Sequence, residues 1–140
     1  MNNCCFKFQG QLFNFNGGDV VPMPIEIQLS ASDLTTALTT GTTKAYCRVP
    51  TAFTLTGVRA SLATAQASGS IFTVDINMNG TSIISTKLTI DNTEKTSVTA
   101  VTPAVISTSA ITDDAEITID IDQIGNGTAK GLIITLIGTR

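Results

Sequence analysis

The chain is 140 residues long, 42% apolar and only 14% charged, with a net charge of −3 and no histidine. That length fits one domain with a single core. Its few basic residues are scattered and its apolar runs fall far short of the roughly 20 residues that cross a bilayer, so neither nucleic acid nor a membrane is an expected partner.

The first stretch, "MNNCCFKFQG", lacks a basic segment followed by an apolar run and a small-residue cleavage site, which predicts no secretory signal and synthesis in a cytosol. Four of the six phenylalanines, Phe6, Phe8, Phe13 and Phe15, precede Gly17-Gly18. "FKFQGQLFNF" reads as two short alternating segments around Gly10, and "GGDVVPMP" reads as a tether. Residues 1–24 are therefore expected to be an extended N-terminal arm and residues 25–140 the folded domain. Burial of each phenylalanine is worth ~1.5–3 kcal/mol. Phe6, Phe8, Leu12, Phe13 and Phe15 thus form a candidate docking arm for a larger partner, with strand addition as one mode. Packing on its own domain or on a sister subunit is the alternative.

From residue 25 onward, strand signals dominate. Ile25-Glu26-Ile27-Gln28-Leu29 alternates with period two, and Phe72, Val74, Ile76 and Met78 alternate against Thr73, Asp75 and Asn77, which predicts one dry and one wet face for each. "SDLTTAL" carries the single helical signal, a turn or two capped by Ser32. Strands are expected near 25–29, 44–49, 53–63, 71–78, 82–90, 95–101, 104–108, 115–122 and 131–138. Asn79-Gly80 is a tight hairpin turn, because both residues tolerate positive φ. Asp91-Asn92, Asp113-Asp114 and Gly125-Asn126-Gly127 punctuate the rest. Short strands at this spacing predict an all-β fold, an antiparallel two-sheet sandwich with jelly-roll or other Greek-key wiring.

The last two strands follow different rules. Ile117, Ile119 and Ile121 point inward while Glu116, Thr118, Asp120 and Asp122 face water. In the final strand Leu132, Ile134 and Leu136 fill the core, which leaves Ile133 and Ile137 outward beside Thr135. Such a row normally marks contact with another subunit, so Ile133, Thr135 and Ile137 are the candidate oligomer interface. Cover by a loop or the arm within one chain is the competing reading.

Other features that look chemical have plainer explanations. Cys4, Cys5 and Cys47 are odd in number, two are adjacent, and without histidine they make a poor zinc set. The same absence removes the commonest general base and the usual triad partner. Asp113, Asp114, Glu116, Asp120 and Asp122 lie along a strand rather than curling around a calcium ion, and read as a solvated acidic face. The Asn-Gly-Thr sequences at Asn79 and Asn126 read as turns. No catalytic residue, cofactor or metal is expected, and an enzyme is not the expected class.

The stretches "SASDLTTALTTGTTKAYCRVPTAFTLTGVRASLATA", "TVDINMNGTSIISTKLTIDNTEKTS", "DDAEITIDIDQIG" and "GLIITLIGTR" resemble a small jelly-roll module of tailed-bacteriophage structural proteins. That module stands alone as a capsid decoration or cement protein, or is appended to tail-fibre-like proteins. The resemblance covers residues 25–140 and carries no catalytic positions. It implies a virion protein of the outer capsid surface, made in the host cytoplasm. Its partners are expected to be copies of itself, a homotrimer in preference to a dimer, and the phage major capsid protein. A receptor- or carbohydrate-binding tip of a tail fibre is the alternative role, against which counts the scarcity of stacking aromatics in the sandwich, with no tryptophan and Tyr46 its one tyrosine.

Overall fold

The computed structural model describes residues 21–140. The named docking-arm residues, Phe6, Phe8, Leu12, Phe13 and Phe15, lie outside them. The described chain is all-β and antiparallel. Its strands in order are β1 (Pro24–Ser30), β2 (Gly41–Arg48), β3 (Phe53–Thr64), β4 (Phe72–Met78), β5 (Thr81–Ser82), β6 (Ile84–Thr86), β7 (Leu88–Ile90), β8 (Val105–Ile106), β9 (Ala110–Ile111), β10 (Glu116–Gln123) and β11 (Lys130–Thr139).

Two sheets enclose the core. The first runs β1-β11-β3-β9. The second runs β2-β10-β4-β5, with β7 pairing the other half of β4. Strands β6 and β8 form a small separate pair. Successive strands β1, β2, β3 and β4 alternate between the two main sheets, so every long connection crosses the sandwich. Period-two patterning explains which residues meet inside: Phe72, Val74, Ile76, Ile117, Ile119, Ile121, Leu132, Ile134 and Leu136 are all buried. Each such side chain contributes ~1.5–3 kcal/mol relative to exposure, which makes the facing isoleucines of β4, β10 and β11 the main stabilising element.

The Asn79-Gly80 hairpin forms as expected. Met78 pairs with Thr81, leaving a two-residue turn in which Asn79 has φ 51° and Gly80 φ 83°. These are the signs that a type I′ turn requires, and its twist matches that of the flanking strands. Asn79 is also tied to β10: its side-chain oxygen accepts from the Glu116 amide at 2.9 Å. A Cβ on Gly80 would meet no other atom, so its φ alone resists substitution. Gly80→Ala is expected to lower stability by about 1 kcal/mol. A urea titration that finds no change would show that the turn relaxes freely.

Several expectations need correction. "SDLTTAL" makes no helix. Instead the Asp33 carboxylate accepts from the Thr35 amide at 2.8 Å and the Thr36 amide at 2.6 Å, a side-chain-closed turn, and Ala37 then bridges to Lys130. The Thr36 amide, followed by that of Thr35, holds the Asp33 carboxyl down at about 2. The run 95–101 is not a strand either. Thr96 caps a single 3-10 turn, Ser97–Thr99, by accepting from the Val98 amide. The run 82–90 is broken into β5, β6 and β7, because β6 leaves β4 to pair with β8. Lastly, Asp75 and Asn77 were expected on a wet face, yet they are only 7% and 9% exposed. Strand β4 is flanked on both sides, by β10 and by β5 with β7, so its outer face is walled by neighbouring side chains.

Candidate functional site

Strand β11 is internal to its sheet, between β1 and β3. Its outward row is therefore framed on both sides. Ile133 lies between Ser30 and Ser61, Thr135 between Gln28 and Arg59, and Ile137 between Glu26 and Gly57. All three row residues are half-buried. The expectation of a bare apolar row is thus corrected: polar neighbours on β1 and β3 cover part of each isoleucine. The exception is the Gly57 side, where no side chain stands and a Cβ would touch Ile137 at 3.8 Å.

Gly57 also lines a groove. The groove encloses about 420 Å³ between β3 and the 97–106 segment, and its walls include Val58, Leu88, Pro103, Val105 and Ile106. It exists because β3 is covered only in part along this edge. The Leu55 amide donates to Ser109, the Ala60 amide to the Ser97 hydroxyl and the Leu62 amide to Lys95, which leaves the stretch from Thr56 to Val58 between these attachments. Val105, in the groove wall, is 50% exposed, and on the same segment Val98 is 62% and Val101 86% exposed. The groove meets the outward row at Gly57, which pairs with Ile137. A single exposed valine is ordinary, but three on one short segment of a small domain are not.

The valines were missed in the sequence because Ser97-Val98-Thr99-Ala100-Val101-Thr102 has strand composition. The usable signal was the three-residue spacing of Val98 and Val101 followed by Pro103, which suits a tight turn and a stop rather than a pleated strand.

The opposite sheet presents polar chemistry. Asp120 accepts from the Thr43 amide at 2.7 Å and the Asn77 amide group at 3.1 Å. Asp75 accepts from the Ser82 hydroxyl at 2.6 Å and the Ile76 amide at 2.8 Å. Lys87 then bridges the remaining charge, 3.0 Å from Asp75 and in contact with Asp122. Asp120 and Asp122 are therefore partnered within the fold and not merely solvated, whereas Asp113 and Asp114 are exposed, as the sequence suggested. Among the described residues no three His, Cys, Asp or Glu side chains converge as metal ligands do. Nearby, Tyr46 stands 64% exposed in a row with Thr118 and Asn77.

Asp122, then Asp75, hold the Lys87 ammonium above its ordinary 10.5. A raised folded-state value means that its stabilisation is complete below the unfolded value and is lost as pH climbs through the folded one. Lys87→Met is expected to melt below the parent chain near neutral pH, with the gap closing once pH passes well above 10.5. A gap that stays constant into strong alkali would show that the side chain acts through packing alone.

Compared with family models, with curated proteins and with solved structures, the chain gives no match in any of the three.

Proposed function

We propose that this chain is a structural protein of the bacteriophage virion, a capsid decoration or cement protein without enzymatic activity. In this reading three copies associate through the β1-β11-β3 sheet. The N-terminal segment carrying Phe6 and Phe8 then engages the major capsid lattice from outside and reinforces it. The observation that carries the self-association is apolar surface left open on one chain: the half-buried Ile133 and Ile137, the groove beside Gly57, and the exposed Val98, Val101 and Val105. Desolvating such surface between copies is favourable by ~25 cal/mol per Å² of apolar area, before association entropy is subtracted.

The phage assignment rests on the resemblance of residues 25–140. We read the wiring as a jelly roll, which agrees with that module. With β5 and β7 counted as one interrupted strand, the order 1-11-3-9 against 2-10-4-7 is that of two interlocked Greek keys. Cryo-microscopy and mass spectrometry of purified virions test the role. Density for this fold on the outer shell, at lattice positions, is expected; virions whose shells lack the chain would refute it.

Tyr46 favours a second reading, a saccharide-binding tip, because an exposed ring beside the half-buried Thr118 suits stacking plus hydrogen bonding. Binding to a glycan array that disappears in Tyr46→Ala would place that reading first.

A further inference from the structure

The tripeptide Asn-Gly-Thr occurs twice, at Asn79 and at Asn126, and both asparagines are exposed. An asparagine followed by glycine can lose its side-chain amide without a catalyst. The glycine nitrogen attacks the asparagine Cγ, and glycine leaves that approach unobstructed because it has no Cβ. Since the two following residues are the same at both positions, a difference in reactivity between them must come from the fold.

At Asn79 the fold holds the reacting atoms apart. The first position of a type I′ turn carries a ψ of roughly 30°, which rotates the Gly80 nitrogen to the side of the Cα–C bond away from the Asn79 side chain. That side chain is drawn sideways to β10, where its Oδ1 accepts from the Glu116 amide at 2.9 Å, and the Asn79 amide donates to the Glu116 carbonyl at 2.8 Å. Ring closure there would have to undo the turn and strain both bonds. At Asn126 the side chain is folded forward along its own chain. Its Oδ1 accepts from the Thr128 hydroxyl at 2.9 Å, which draws Cγ toward the intervening Gly127 peptide. The Ala67 amide donates to the same oxygen at 3.4 Å. Both donors face the atom on which negative charge grows as Cγ becomes tetrahedral, the arrangement that stabilises an oxyanion. A Cβ on Gly127 would meet nothing within 4 Å, so water reaches the reacting nitrogen.

We propose that Asn126 is a site of spontaneous succinimide formation and that Asn79, with the same two residues after it, is protected by its turn. Hydroxide removes the Gly127 amide proton, the nitrogen forms a bond to the Asn126 Cγ, and the Cγ–Nδ2 bond breaks. The leaving nitrogen takes a proton from water and departs as ammonia. Water then opens the ring at either carbonyl and leaves aspartate or isoaspartate. The net change is one water consumed, one ammonia released and one negative charge added to the chain's −3. The isoaspartate product inserts a methylene group into the backbone next to Gly125, whose amide donates to the buried Gln66. The chemistry needs only the chain and water, so it holds whether or not the protein is a virion component.

The test holds the full-length chain at mildly alkaline pH, samples it over time, and maps both positions by proteolysis and mass spectrometry. Asn126 is expected to convert on the order of tenfold faster than Asn79, a modest share of the roughly 10²–10³-fold that one preorganised oxyanion donor contributes in an enzyme. Equal rates, or faster loss at Asn79, would overturn the proposal. In the chain unfolded by guanidinium the two rates are expected to converge. A ratio that survives unfolding would assign the difference to flanking sequence and overturn the structural argument. Thr128→Val keeps the shape of the side chain and removes its hydroxyl donor; it is expected to slow conversion at Asn126 several-fold and to leave Asn79 unchanged. An unchanged Asn126 rate in a variant that melts like the parent would overturn the role assigned to that hydroxyl.

Discussion

Glutamate at both Ile133 and Ile137 is expected to leave the domain folded and to convert the proposed trimer to monomer. Both side chains project from the outer face of β11, while Leu132, Ile134 and Leu136, which hold the core, are untouched. Loss of strand preference at two exposed-face sites costs at most ~1 kcal/mol each. At the proposed subunit contact the effect is larger. Each isoleucine is already half-covered by β1 and β3, so its further burial is worth about half the full value, roughly 1–1.5 kcal/mol, and the introduced carboxylates add desolvation against it. Two positions in each subunit then weaken association by on the order of 100-fold or more. Sedimentation velocity across a dilution series reads this directly. Gln28→Glu, on the same face but outside the apolar row, is expected to change little. Equal loss in both variants would mean that added charge, and not the apolar row, controls assembly.

Gln66→Leu is expected to be the most damaging change at the loop end of the sandwich, by about 3 kcal/mol. Gln66 is 1% exposed and ties three loops together. Its amide group donates to the Ser70 carbonyl at 2.6 Å and the Asn92 side chain at 2.7 Å, and its side-chain oxygen accepts from the Gly125 amide. Its own carbonyl accepts from the Thr93 amide at 2.7 Å. Leucine matches the volume but leaves two acceptors and one donor without their partner, and such groups are expensive where water reaches them poorly. Gly125 sits so close to Ser68 and the Gln66 amide that any Cβ there would collide with both, so the loop has no room to adjust. Thermal unfolding is expected to fall by roughly 6–12 °C. A drop of only a degree or two would mean that solvent replaces the glutamine.

The sequence made the strands legible where alternation was clean and turn chemistry was specific. Ile25 to Leu29, Phe72 to Met78 and Glu116 to Asp122 all show their period, and Asn79-Gly80 gives away its hairpin through φ. The inward set Leu132, Ile134 and Leu136 was readable for the same reason. What could not be read was context that depends on neighbours. Asp75 and Asn77 have the pattern of a wet face, and only the flanking of β4 by β10 and by β5 with β7 buries them. Gln66 lies in a small-residue stretch that looks like an ordinary loop; its burial depends on partners 26 and 59 residues away. The 97–102 run has β-branched composition, but the Thr96 cap and Pro103 fold it into a turn that sets Val98 and Val101 outside. Gly57 opposite Ile137 is a register fact, invisible until β3 and β11 are aligned.

The central claim is that one face of the β1-β11-β3 sheet exists to meet its own copies. Sedimentation equilibrium of the full chain at micromolar concentration is the most direct test. The mass of three chains is the expected result, and the mass of a single chain that persists as concentration is raised would contradict the account.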